Sequence, residues 1–263
     1  MKNIFIAGLV SILLSSCEKE IDIDLNSADP QVVIEGSVTD GPGPHYVKIS
    51  ESVNFSDANV YPPVSEAVVV ISDNLGIIDT LTESSSGIYQ THTITGVPGN
   101  KYELNVQIGE SKYFASSIMP QKVKLDSLRF EPLFAPGSES LYSVLPVYVD
   151  PETLGNNYRF LVSVNGKKNN SYIVDNDVIG NGTTNDFPIF DPEMEILSGD
   201  TVTVEMRCID LSTYNYFYSL AQISGGGPGG GTTPANPTNN IYGGAALGVF
   251  SAYTVEYKSE VVP

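Results

Sequence analysis

The sequence has no tryptophan, only two cysteines and two histidines, and 13 lysines and arginines set against 31 aspartates and glutamates. Each shortage excludes something. Cys17 and Cys208 cannot supply a multi-bridge disulfide framework, so a chain of 263 residues with 41% hydrophobic content must fold on an apolar core. A formal charge of −18 repels phosphate backbones, which argues against a nucleic-acid partner. Histidine, the usual base near neutral pH, is limited to His45 and His92, and no G-x-S-x-G turn accompanies either. There is no H-E-x-x-H, no pair of C-x-x-C motifs and no Walker loop, so zinc hydrolysis and nucleotide chemistry lack their residues. No nucleophile and base can be named together, and the expectation is a non-enzymatic protein with no catalytic residue and no cofactor. Long hydrophobic runs are missing too: "IFIAGLVSILL", Ile4 to Leu14, is 11 residues. As a helix it reaches about 17 Å, against a hydrocarbon core of roughly 30 Å.

What that short run does have is context. Lys2 precedes it and two serines follow, giving the charged start, apolar centre and small-residue end of a secretory signal peptide over residues 1–16. "LSSC", Leu14 to Cys17, resembles the lipobox of bacterial lipoproteins, in which the cysteine sulfur receives a diacylglycerol and the chain is cut just before it. Cys17 is therefore the expected lipidation site, and its covalent diacylglycerol and acyl lipid are the expected attachment to a membrane. Each buried acyl CH₂ contributes about 0.8 kcal/mol, so two or more chains anchor stably. Residues 17–30 then read as the lipidated cysteine and an acidic, solvated tether, "EKEIDIDLNSADP".

From Gln31 onward short runs rich in Val, Ile, Thr and Tyr alternate with Gly, Pro, Asn and Asp, which predicts many short strands. Those over 31–38, 46–52, 67–73, 77–83, 88–94, 101–108 and 112–118 compose a first unit, 31–119. "KYELNVQI" sets Tyr102, Leu104, Val106 and Ile108 on one side and polar residues on the other, the pattern of an antiparallel sheet with one face packed. Strands over 122–130, 141–149, 158–166, 171–175, 200–209 and 247–258 compose a second unit, 122–263. In the 200–209 strand Val202, Val204, Met206 and Cys208 share a face, so Cys208 reads as a buried thiol. One helix is predicted over 211–224, capped by Asp210 or Ser212, with Leu211, Tyr214, Phe217, Tyr218 and Ala221 packing against a sheet. "GGGPGGGTTPANPTNN", 225–240, reads as a flexible loop. The fold class expected is mostly β: two β-sandwich lobes, the first immunoglobulin-like or transthyretin-like, the second β-rich with one helix, behind a lipoprotein signal peptide.

Two stretches are candidate binding sites. In "DNDVIGNGTTND", Asp175, Asp177, Gly180 and Asp186 fall at positions 1, 3, 6 and 12 of an EF-hand-type spacing, which makes a Ca²⁺ site one reading. Ile179 at position 5, the short acid at position 12 and flanking strands favour a solvated hairpin instead. Ten of the 15 tyrosines follow residue 122, and Tyr214, Tyr216 and Tyr242 flank the glycine-rich segment as candidate platforms for a glycan or peptide.

Taken in order, "SCEKEIDIDL", "VIEGSVTDGPGPHYVKISESVNF", "VSEAVVVISDNLG", "SGIYQTHTITGVPGNKYELNVQIGESKYFASSIMP" with "KLDSL", and "GGAALGVFSAYTVE" resemble the Bacteroidota outer-membrane lipoproteins grouped as domain of unknown function 4249. The resemblance implies two β-rich lobes on a lipid anchor in the outer membrane, without an established activity or transferable catalytic residues. It also implies proximity to TonB-dependent transporters, and hence an accessory or binding component of a transporter or surface complex. The alternative is a lipoprotein that captures a glycan or peptide directly. In that phylum acids just after the cysteine direct lipoproteins to the cell surface; "CEKEID" matches in part, and both a surface-exposed and a periplasm-facing location stay open.

Overall fold

The computed structural model describes residues 29–54, 58–133, 141–189, 191, 194–224 and 236–263. The signal segment, Cys17, most of the tether and 225–235 of the expected loop lie outside the described residues. The strands of the first half are β1 (Val32–Thr39), β2 (Tyr46–Glu51), β3 (Val68–Asp73), β4 (Ile78–Thr80), β5 (Thr82–Ser85), β6 (Ile88–Gln90), β7 (Lys101–Ile108) and β8 (Ser111–Ile118). After them come β9 (Leu125–Leu133), β10 (Leu141–Val149), β11 (Asn157–Val164), β12 (Lys167–Lys168), β13 (Ile173–Asn176), β14 (Thr184–Asn185) and β15 (Thr201–Ile209). The helix α1 (Leu211–Ser224) and the long strand β16 (Ala246–Val261) complete the chain. The protein is mostly β with a single helix among the described residues, as the pattern predicts. No described helix is long and apolar enough to cross a membrane.

The strands form three sheets. A nine-stranded sheet runs β12-β11-β15-β16-β1-β2-β6-β5, with β13 also on β11; β4-β3-β7-β8 and β14-β10-β9 are separate. Alternation explains how they stack. Ile34 and Val38 of β1, Val47 and Ile49 of β2 and Phe250 of β16 turn one way and meet Val69, Ile71, Tyr102 and Leu104 of the four-stranded sheet. Val202, Val204, Met206 and Cys208 of β15, with Tyr158 and Phe160 of β11, turn to the same side and meet Leu125, Val144 and Tyr148 of the three-stranded sheet. One broad sheet is thus backed by two small ones, each enclosing its own core, in a sandwich-like arrangement.

β16 joins the halves. Ala246–Tyr253 pairs in parallel with the whole of β1, and Thr254–Val261 pairs antiparallel with β15. Residues 241–252, taken from the sequence as part of the second unit, therefore contribute Ile241, Ala246, Phe250 and Ala252 to the first core. Parallel pairing requires the two strands to be far apart in sequence, which local periodicity cannot register. At the seam, Asp210 caps α1 by accepting from the Thr213 amide at 2.8 Å, while its other oxygen accepts from the Ser117 hydroxyl at 2.6 Å. Ser117 in turn accepts from the Ala252 amide at 2.8 Å, so one carboxylate ties the helix start to β8 and β16.

Several elements differ from the pattern for identifiable reasons. The expected strand 77–83 is divided between two sheets: β4 pairs with β3 and β5 with β6, and the buried Leu81 marks the crossing. The expected strand 88–94 ends at Gln90 because the buried Asp79 carboxylate takes the amides of His92, Thr93 and Ile94, at 2.8, 2.5 and 2.8 Å. Amides bound to a carboxylate cannot enter a ladder. The packing strip of α1 is also rotated: Thr213, Tyr216 and Phe217 are buried, whereas Leu211 and Tyr218 are exposed. Apolar Tyr172, Val174 and Val249 on the sheet receive that face, and Tyr214 and Tyr218 stack on each other 5.7 Å apart. Nor is 236–240 loose. Asn240 is buried and holds both the amide and the carbonyl of Phe250, at 2.9 and 2.7 Å.

Gly248 sits in β16 at φ +109°, where an added Cβ would collide with the Ile34 carbonyl; Gly248→Ala should destabilise the protein by about 1–3 kcal/mol, read as a lower midpoint in urea. Burial pushes the Asp79 pKa up, but the amides of Thr93, Ile94 and His92 outweigh it and hold the carboxyl below its usual value of 3.8. A depressed acid stabilises the fold above its unfolded pKa and loses that contribution as pH falls through the folded value. Asp79→Ala should therefore cost about 3 kcal/mol or more at pH 7, and the difference from wild type should shrink on acidification below about pH 4.

Candidate functional site

The face of the nine-stranded sheet turned away from both cores carries Glu35 and Ser37 of β1, Lys48 of β2, Ser251 and Tyr253 of β16, Arg207 of β15 and Arg159 of β11. Their common orientation follows from strand register, since Glu35 pairs with Val249, Ser37 with Ser251 and Arg159 directly with Arg207. The helix α1 lies over one side of this face, and between them is a cavity of about 290 Å³ lined by Arg159, Arg207, Thr213, Phe217, Ser251 and Tyr253, among others.

The electrostatics of this cavity are unusual for so acidic a chain. The protein has three arginines, Arg129, Arg159 and Arg207, and two of them face each other across one strand pair. Like charges directly opposite in a sheet are destabilising. Arg207 is compensated: its guanidinium meets Glu205 at 2.5 Å and lies 4.4 Å from the centre of the Tyr253 ring. Arg159 is held differently, with Cζ 3.5 Å from the centre of the Phe217 ring and no hydrogen bond or ion pair among the described residues. Cation–π contact is worth about 0.5–2 kcal/mol, less than an ion needs when it leaves water. Burial, then the neighbouring Arg207, lower the Arg159 pKa to about 10, so it stays charged at neutral pH. The Arg159 Nε and the hydroxyls of Ser251 and Thr213 are buried without partners among the described residues, and the three residues that carry them line this cavity. An unpaired buried donor typically costs about 1–3 kcal/mol.

A second cavity, of about 310 Å³, lies beside the second core and is mainly apolar, lined by Tyr148, Phe160, Ile179, Phe187, Pro188 and Asp175, among others. Of the candidate carboxylates of the 175–186 stretch only Asp175 lines it, and the three have separate partners. Asp175 accepts from the Asn176 amide, Asp177 accepts from the Gly155 and Asn156 amides, and Asp186 pairs with Arg129. Among the described residues no group of three or more His, Cys, Asp or Glu side chains could hold a metal ion. The tyrosines are differently placed: Tyr216 is buried on α1, the half-buried Tyr214 accepts from the Asn176 side-chain amide at 2.9 Å, and the exposed Tyr242 forms a backbone bridge with Phe114.

The remaining reactive groups are occupied or isolated. His45 is buried, its Nδ1 accepts from the Thr39 amide at 3.4 Å, and burial, opposed by the charge of Asp79, lowers its pKa. His92 shares a 3.0 Å hydrogen bond with the Thr82 hydroxyl, and no carboxylate is hydrogen-bonded to its ring among the described residues. Cys208 is buried, accepts from the Val123 amide at 3.4 Å and has its pKa raised by burial, as its apolar strand face predicts. The arginine pair went unnoticed in the sequence, although a signal was present. Two of only three arginines stand mid-strand, in "YRFLV" and "EMRCI", flanked by inward-facing apolar residues.

Asp175 offers a test with the opposite sign to Asp79. Burial raises its pKa above 3.8, with the Asn176 amide opposing and Asp150 adding to the rise. Its contribution is fully present below the unfolded pKa and is lost as pH rises through the folded value. Asp175→Asn should therefore melt higher than wild type at pH 7, with the two curves converging as pH approaches 4. Among known proteins, no curated sequence matches the chain. A family model does match it: residues 18–259 fit Domain of unknown function (DUF4249), and the protein belongs to that family.

Proposed function

We propose that the protein is a non-enzymatic, lipid-anchored lipoprotein of the outer membrane that serves as an accessory or binding component of a TonB-dependent transporter or surface complex. The observation that carries this reading is the ordered grammar of the N-terminus: a charged start, 11 apolar residues, two serines and Cys17, then an acidic tether leading into a folded β body. A body without a named nucleophile and base, carried on a tether, suits a role in holding something near a membrane. A second reading, direct capture of a ligand by the body itself, is favoured by the cavity under α1. Glycans and peptides remain its expected ligand classes at this level.

Affinity purification of the native protein from membranes tests the first reading, with mass spectrometry of its N-terminus alongside. The expected result is a lipid mass on Cys17, loss of membrane attachment in Cys17→Ser, and recovery of an integral transporter in stoichiometric amount. An unmodified Cys17 thiol, or recovery without any transporter, contradicts it.

A further inference from the structure

We propose that the cavity between the arginine pair and α1 is a binding site for a small carboxylate-bearing molecule. This rests on the reading of the protein as a binding component, and not on its lipid or on any transporter. Three independent features of the cavity converge. Arg159 presents a guanidinium with no carboxylate partner among the described residues, and guanidinium is the side chain whose planar fork matches a carboxylate through two parallel hydrogen bonds. Its Cζ rests over the Phe217 ring, 3.5 Å from the ring centre, which restricts the guanidinium before a ligand arrives. Ser251 and Thr213, both almost fully buried residues of the cavity wall, carry two further hydroxyls without partners among the described residues. A rotation about χ1 would turn either hydroxyl from its buried position toward a ligand's second oxygen or a hydroxyl on its body.

Charge and size narrow the ligand class. Around the cavity Arg159, Arg207 and Lys48 face Glu205 and Glu35, with Glu35 and Lys48 paired at 3.7 Å on the rim. One positive charge is left over, which suits a single negative charge. A net charge of −18 on the whole chain repels ligands carrying several. Phe217, Tyr253, Val249 and Ile209 give the walls an apolar character, and about 290 Å³ admits a body of one ring or a short aliphatic chain. The chemistry is thus a monocarboxylate with an apolar or hydroxylated body, such as an aromatic acid or a uronic acid.

Titration of the full chain in detergent with benzoate and with D-glucuronate tests this. Benzamide and glucose serve as uncharged comparators, inorganic phosphate as the competing anion, and sodium chloride matches the ionic strength. Saturable binding of at least one carboxylate is expected, with a rise in melting temperature and no binding of its comparator. Arg159→Met should weaken that binding at least tenfold. Ser251→Ala, which leaves every charge in place, should weaken it several-fold and covers the case in which Arg159→Met does not fold. Binding of neither carboxylate, equal binding of the uncharged comparator, binding of phosphate alone, or undiminished binding in both variants would each overturn the proposal. A transporter recovered from membranes by a protein that binds no carboxylate would sink the site and leave the accessory role standing. Carboxylate binding without a transporter would do the reverse.

Discussion

The sixteen residues of β16 are the constraint on which the rest of the structure depends. Its first half closes the first core against β1, and its second half closes the second core against β15. Because Phe250 and Ala252 point into the first core and Thr254 lies opposite Cys208 of the second, both cores sit on one side of the same sheet. The other side is left as a single uninterrupted surface. Without that continuity Ser251 and Tyr253 would not share a face with Arg207 and Arg159, and α1 would have no floor on which to rest.

Charge taken wholly or partly out of water in this protein falls into contrasting situations. Asp79 is surrounded by backbone donors, so its charge organises the chain from His92 to Ile94 and ends a strand. Asp210 has donors on both oxygens and fastens α1 to the first half. These groups are satisfied, and their cost of leaving water is offset locally. Arg159 and the hydroxyls beside it have no such partners among the described residues, and they are gathered in one place instead of being scattered. Stored desolvation of this kind is what a complementary anion would relieve, which is why the cavity under α1 stands out from the apolar one beside Asp175.

How much of this was legible in the sequence depended on whether the deciding interaction was local. The alternation of Tyr102, Leu104 and Val106 located β7 residue for residue, and Asp210 followed by an apolar spacing located α1. The sandwich-like, mostly β class followed from many such segments. What the sequence did not display was pairing: the parallel match of β1 with β16 joins residues more than 200 positions apart, and no periodicity records it. The strand expected through His92 failed for the same reason, since the carboxylate that terminates it comes from Asp79 on another strand. The site was hidden twice over, because Arg159 and Arg207 become neighbours only through the β11–β15 register, and α1 covers them with a face centred on Thr213, Tyr216 and Phe217.

If β16 makes one structure of two cores, its two halves cannot open separately. Native-state hydrogen exchange along that strand is the most direct measurement. Amides from Ala246 to Tyr253 and from Thr254 to Val261 should exchange with the same opening free energy, equal to that of global unfolding. Markedly different opening energies in the two halves, with one core releasing its part of the strand while the other stays closed, would contradict the account.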